Sequence, residues 1–290
     1  MDSTIPAIVA EVALNLAGAA IACRLLFRRF ARKERPALAL PDWNVSALDF
    51  LLFLALAALA AFFAEVVLNA GIGRSSVDPD ARLVFSAAAM DAGVLAGAAV
   101  FYLVVCKWRP SPPGNPFRAL GTGFATFVVS VPIVNAVSLA WQGILDLCGV
   151  PVLKQDMVDL LLNTHSSVAR DVLIVLAVVV APVMEEALFR GGIFRFLRTY
   201  LPRLSGRLAA KSAESRNWLG PRTARAMALL LPAALFGAAH GSLSFFPPLL
   251  VLGVIFSLAY ERTGGIGTTI VAHGLFNLNT IVLVLAGLTS

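Results

Sequence analysis

Eight apolar stretches follow one another along the chain, each long enough at about 20 residues per helix to cross roughly 30 Å of hydrocarbon. They lie at roughly 4–26, 47–71, 83–106, 119–147, 170–190, 223–241, 245–260 and 266–288. In lipid the backbone groups of such a run must be bonded within the segment, so each is read as a helix. The expected fold class is therefore all-α, a polytopic membrane helix bundle of about eight transmembrane helices. Composition agrees: 59% of residues are apolar and 14% charged, with a mean hydropathy of +0.83, outside the range of soluble domains. The seventh stretch is short and holds Pro247-Pro248, which predicts a bent or partly inserted helix. The first lacks a basic leader and is interrupted by Glu11, so it is read as a retained helix and not a cleaved signal peptide.

Lys and Arg set the orientation. The connection after helix 1 carries Arg28, Arg29, Arg32, Lys33 and Arg35, and the one after helix 3 carries Lys107 and Arg109. After helix 5 come Arg195, Arg198, Arg203, Arg207, Lys211 and Arg216. Connections 72–82 and 148–169 are balanced or slightly acidic. Strict alternation puts the basic loops in the cytoplasm and both termini on the opposite side. The net charge of +6 is thus topological, and nucleic acid is not an expected partner.

Cys23, Cys106 and Cys148 are scattered without CxxC spacing, which argues against a disulfide framework or a zinc ribbon. No internal repeat is visible. A single membrane domain is expected over 1–290, with a motif-bearing core at 170–280. Residues 195–222, with Pro202, Gly206, Gly220 and Pro221, read as the one sizeable loop. Segment 151–165 reads equally as a short amphipathic interfacial helix or an ordered loop.

Against this apolar background, Glu185 and Glu186 stand side by side in Ala-Pro-Val-Met-Glu-Glu-Ala-Leu-Phe-Arg190. An intramembrane carboxylate is costly unless paired and marks a functional site by default. Adjacent residues point about 100° apart on a helix, so the two glutamates have different tasks. Glu186 and Arg190 are four apart in the favourable order for an ion pair. Glu185 is then left to face the site, where a desolvated carboxylate beside a neutral histidine could take a proton from water. His240 closes Phe236-Gly-Ala-Ala-His, and His273 opens His-Gly-Leu-Phe-Asn277, so His273 and Asn277 share a helix face.

Taken singly, each group has a plainer reading: a structural clamp, a packing histidine, interhelical glue. Together they also suit a proton-coupled carrier with a Glu/His relay, or a silent scaffold that keeps the groups for stability. A carrier predicts inverted repeats with polar motifs in both halves. Residues 1–150 hold only isolated acids, such as Glu11, Glu65 and Asp91, read as fold or cavity polar groups, and this favours an enzyme.

In this order, Glu185-Glu186-xxx-Arg190, Phe236-xxx-His240 and His273-xxx-Asn277 resemble the three motifs of the CPBP intramembrane proteases, which include the CAAX prenyl endopeptidases and the Abi proteins. Leu252-Gly253, Tyr260 and Thr263-Gly264-Gly265 resemble the run-in to the last motif, and the likeness spans about 170–280. The resemblance implies an intramembrane endopeptidase acting on membrane-associated or lipidated proteins, prenylated CAAX-type substrates included, within the lipid bilayer. It implies Glu185 as the base that activates water, His240 as a participant beside that water, and His273 with Asn277 on the oxyanion-stabilising or ligand side. Glu186 and Arg190 would orient the site.

The family has long been called metalloprotease, and two imidazoles and a carboxylate, His240, His273 and Glu185, suit zinc with an open position. There is no HExxH helix, and a metal-free, glutamate-activated water fits the same residues. Spacing leaves both open. After His240 the chain continues Gly241-Ser242-Leu243-Ser244, without the further histidine typical of eukaryotic prenyl-protein proteases. This favours a prokaryotic-type relative in the plasma membrane. The expected site lies among helices 5, 6 and 8. With Arg190 at the end of helix 5, Glu185 lies about 7 Å deep, His273 about 10 Å and His240 about 27 Å. Reconciling them requires that helix 6 start late or tilt, or that helix 5 continue through Phe196.

Overall fold

In the computed structural model the described residues are 4–31, 38–72, 79–105, 115–152, 156–164, 166–211 and 219–288. They form helices and no strand. In chain order these are α1 (Thr4–Ala31), α2 (Ala47–Ile72), α3 (Pro79–Val104), α4 (Pro116–Leu147) and the short α5 (Asp156–Asn163). A long α6 over 167–211 is followed by α7 (Pro221–Ala239), α8 (Phe246–Thr263) and α9 (Gly267–Leu285). The polytopic helical bundle read from the apolar runs is the fold. Among the described residues six helices are long and apolar enough to cross a membrane, namely α1 to α4, α6 and α9. Of the eight stretches read from sequence, α7 and α8 fall short of that measure. Arg222 and Arg225 open the one, and Glu261 and Arg262 close the other.

Small residues set the closest helix contacts, as expected where no hydrophobic force drives helices together in lipid. Gly93 and Gly97 on α3 meet the backbone of α2 at Ala60–Ala61 and Leu56–Ala57, and Gly18 on α1 meets Val128 and Pro132 of α4. A Cβ at any of these positions would collide. One polar clamp reinforces the outermost helix. Glu11 on α1 accepts from the amides of Asn15 and Asn135, both at 2.9 Å, and of Asn279 at 3.2 Å. It joins α1 to α4 and α9.

Two further segments depart from the sequence reading or complete it. Residues 195–211, read as loop, continue α6 as helix. Phe196 and Leu201 are buried there, and Leu201 packs with Leu219, Ala224 and Ala228 of the α7 region. This tertiary contact outweighs the breaking tendency of Pro202 and Gly206. Segment 151–165 contains α5, whose Leu161 packs with Ala177, Ile281 and Val284.

Residues 38–46 run as an extended strap across the ends of α6 and α8. Leu40 N–H donates to the Glu261 carbonyl at 3.2 Å, and Trp43 N–H to Thr199 Oγ1 at 3.0 Å. Both Leu40 and Trp43 are buried. Of the residues named above, Arg32, Lys33, Arg35, Cys106, Lys107, Arg109 and Arg216 lie outside the described residues. Cys23 and Cys148 are exposed and unpaired.

Candidate active site

The site is built on α6, whose ladder changes register twice. Alpha-helical pieces Ser167–Val175, Ala181–Glu185 and Arg195–Lys211 alternate with π-helical pieces Leu176–Val180 and Glu186–Phe194. Short π segments are rare and concentrate at functional sites. The first has a local cause. Ala181 N–H bonds the Leu176 carbonyl, five residues back. The next donor in that register would be residue 182, which is proline and has no N–H. The Ala177 carbonyl is thereby orphaned inside the bundle, where an unmatched backbone group is costly. Asn277 Nδ2 donates to it at 2.8 Å. Gly274, one helical turn before Asn277, makes this approach possible, because a Cβ there would sit 2.6 Å from the Val178 carbonyl oxygen. Proline, asparagine and glycine thus form one joint between α6 and α9.

The second π segment carries Glu186 and Arg190, joined at 2.8 Å between Oε1 and Nη1. Glu186 is 0% and Arg190 1% exposed, a depth at which an unmatched charge would cost several kcal/mol. The guanidinium lies over the rings of Phe236 at 4.5 Å and Phe256 at 5.3 Å and donates to the Gly253 carbonyl at 3.4 Å. Helices α7 and α8 thus contribute an aromatic clamp and an acceptor.

His273, on α9 and 3% exposed, connects the two glutamates. Its Nδ1 is 3.0 Å from Glu186 Oε1. An ion-paired carboxylate only accepts, so this nitrogen carries a proton and donates. The opposite nitrogen, Nε2, faces Glu185 Oε2 at 3.8 Å, too long for a direct hydrogen bond. That Glu185 oxygen is buried and has no hydrogen-bond partner among the described residues.

His240 caps the C-terminal end of α7 instead of standing within it. It is exposed, and its Nδ1 donates to the Phe236 carbonyl at 2.9 Å, which leaves Nε2 as an acceptor. The Phe236 ring lies 5.0 Å from the His240 ring and 5.8 Å from the His273 ring. The structure therefore brings Glu185, Glu186, Arg190 and His273 into one cluster, with His240 one aromatic ring away. Asn277 is turned toward Ala177. The depth conflict disappears because α6 runs on past Arg190 to Lys211, so Arg190 does not mark a membrane edge.

The zinc set read from sequence does not converge: among the described residues no three of His, Cys, Asp and Glu are placed to hold a metal ion. A further acid appears instead. Asp91 on α3 is 5% exposed and within electrostatic reach of Glu185. The only sequence signal was a lone acid in an apolar helix, since the nearby Gly93-xxx-Gly97 pair packs on α2. The clamp of Phe236 and Phe256 and the π segments had no such signal.

Residues 169–279 match the family model described as type II CAAX prenyl endopeptidase Rce1-like. No curated protein and no solved structure matches the chain. The matched segment contains all six polar residues of the three motifs and the helices that assemble them. Over that segment this multi-pass membrane protein is similar to the CPBP/CAAX intramembrane proteases.

Proposed function

We propose that the chain hydrolyses a peptide bond in a membrane-associated or lipidated protein, with Glu185 as the general base on a water molecule. The observation that carries this is the position of His273, bonded through Nδ1 to the fixed Glu186–Arg190 pair and facing Glu185 with Nε2. A water beside Glu185 Oε2 gives that carboxylate a proton as its oxygen attacks the scissile carbonyl carbon. His240, through Nε2, holds the same water from the second side. The tetrahedral oxyanion faces the α9 side, where the second amide hydrogen of Asn277, the one not given to Ala177, is the donor, and His273 Nε2, its ring proton being on Nδ1, is an acceptor. Collapse of the intermediate passes the proton from Glu185 to the leaving amine. Glu186 and Arg190 orient His273 and do not touch the reacting atoms.

The family match supports a CAAX-type substrate, prenylated or carrying another lipid. The run Gly241-Ser242-Leu243-Ser244 after His240 supports a prokaryotic-type enzyme of the plasma membrane. The test is cleavage of prenylated and unprenylated quenched peptides by detergent-purified protein, comparing wild type with Glu185→Gln and His240→Ala. Turnover lost in Glu185→Gln by about 100-fold or more, in a variant that unfolds at the wild-type temperature, supports the assignment. Turnover that survives Glu185→Gln overturns it. A folded wild type that cleaves no peptide of the panel would favour a Glu/His proton relay or a silent scaffold.

A further inference from the structure

A second charged site lies away from the glutamates, at the end of α6, α7 and α8 where the strap crosses them. A cavity of about 320 Å³ opens there, walled by Arg198, Arg203 and Arg225 against Asp42 and Glu261, with an apolar floor that includes Phe194. Its volume is at the lower end of small-molecule sites. Glu261 is 2% exposed and is satisfied on both oxygens, by Arg198 Nε at 3.0 Å and Arg225 Nη2 at 2.7 Å. That part is a structural lock between three helices.

The remainder is not explained by the lock. Arg203 reaches Asp42 at 3.2 Å and Asn44 at 2.7 Å, and Arg198 reaches Asp42 at 3.5 Å. The Asp42 side chain is 60% exposed and the Arg203 side chain 45%, so this pair is held loosely in water and contributes little to stability. Three guanidinium groups against two carboxylates leave one positive charge in excess. Each guanidinium also offers five donors in a planar fork that matches a phosphate. The cavity lies at the part of α6 that carries Arg195, Arg198, Arg203 and Arg207, the basic side that the charge distribution assigns to the cytoplasm, where anionic lipid headgroups concentrate.

We propose that this cavity binds a phosphate group, presented by a lipid headgroup or free in solution, with Arg203, Arg198 and Arg225 as its ligands and Asp42 as the competitor it displaces. The site is independent of the proteolytic reading. The two polar walls make opposite demands: removing Arg203 weakens the phosphate contact, and removing the charge of Asp42 releases Arg203 and Arg198 to it.

The test is the thermal unfolding midpoint of the full chain in detergent, titrated with dihexanoyl phosphatidylglycerol, with inorganic phosphate and with an uncharged glucoside of similar length. The phosphatidylglycerol is expected to raise the midpoint saturably. Arg203→Gln should raise the half-saturating concentration about tenfold, the worth of one charge-assisted hydrogen bond, and Asp42→Asn should lower it. Saturation by phosphate as well as by the lipid identifies the anion itself as the ligand; saturation by the lipid alone identifies the headgroup. An equal response to the glucoside, or the same half-saturating concentration in both variants, overturns the proposal. Variants that merely loosen the fold would both lower the starting midpoint without moving half-saturation in opposite directions.

Discussion

His273 donates from Nδ1 to the same Glu186 oxygen that Arg190 holds, at 3.0 Å and 2.8 Å respectively. One buried carboxylate oxygen thus fixes the charge partner of the site and the orientation of its imidazole. Glu186→Gln keeps the size but removes the charge that Arg190 and His273 both face, and puts an NH2 donor in place of one acceptor oxygen. The expected outcome is a fall in kcat of about 100-fold or more, with KM for the peptide little changed, because orientation and not substrate contact is lost. Steady-state kinetics on the purified variant measures both. A KM effect alone would place Glu186 against the substrate instead.

Arg190 answers a different question, that of stability. Its guanidinium is the compensating charge for Glu186 and is covered by two aromatic rings. Arg190→Leu leaves a buried carboxylate without a partner and should cost about 3–5 kcal/mol, whereas Glu186→Leu combined with Arg190→Leu should cost less than Arg190→Leu alone. Thermal unfolding in detergent ranks the two proteins. The reverse order would mean that the pair is held by packing and not by charge.

The arrangement of donors also bears on metal dependence. Because His240, His273 and Glu185 do not converge among the described residues, prolonged dialysis against a zinc chelator should leave peptide turnover unchanged. Activity that disappears on dialysis and returns with zinc alone would show that the three residues close around an ion during catalysis.

Much of the site could be read from spacing. The four-residue interval from Glu186 to Arg190 and the intramembrane position of both glutamates pointed to a pair and a second, differently employed acid. Asn277 one turn beyond His273 pointed to a shared face. The bounds of the site helix could not be read in this way, since apolar runs end at Arg190 and Arg195 whereas the helix continues. Arg195 stacks over the Trp43 ring at 5.7 Å, and Phe196 packs on Phe50 with ring centroids 4.0 Å apart. Both partners come from the distant segment 43–50, so the cause is tertiary. Asp91 escaped for the same reason. Its relation to Glu185 depends on α3 packing against α6, which no local pattern encodes.

The joint between Pro182 and Asn277 gives the sharpest test of how this local geometry arises. The Asn277 amide satisfies the Ala177 carbonyl, whose partner in the π register would be the N–H that Pro182 lacks. Replacing Asn277 with Ala should therefore destabilise the protein by about 1–3 kcal/mol, the cost of an unsatisfied buried carbonyl. In a Pro182→Ala background the missing N–H is restored, so the same Asn277→Ala change should cost distinctly less. The double-mutant cycle, read from unfolding midpoints, should give a coupling of about 0.5–3 kcal/mol. Additive effects would mean that the π segment has another cause and that Asn277 acts only through the substrate. Activity adds the second readout. If Pro182→Ala with Asn277→Ala recovers stability but not turnover, the amide has a role in the reaction beyond holding α9 to α6.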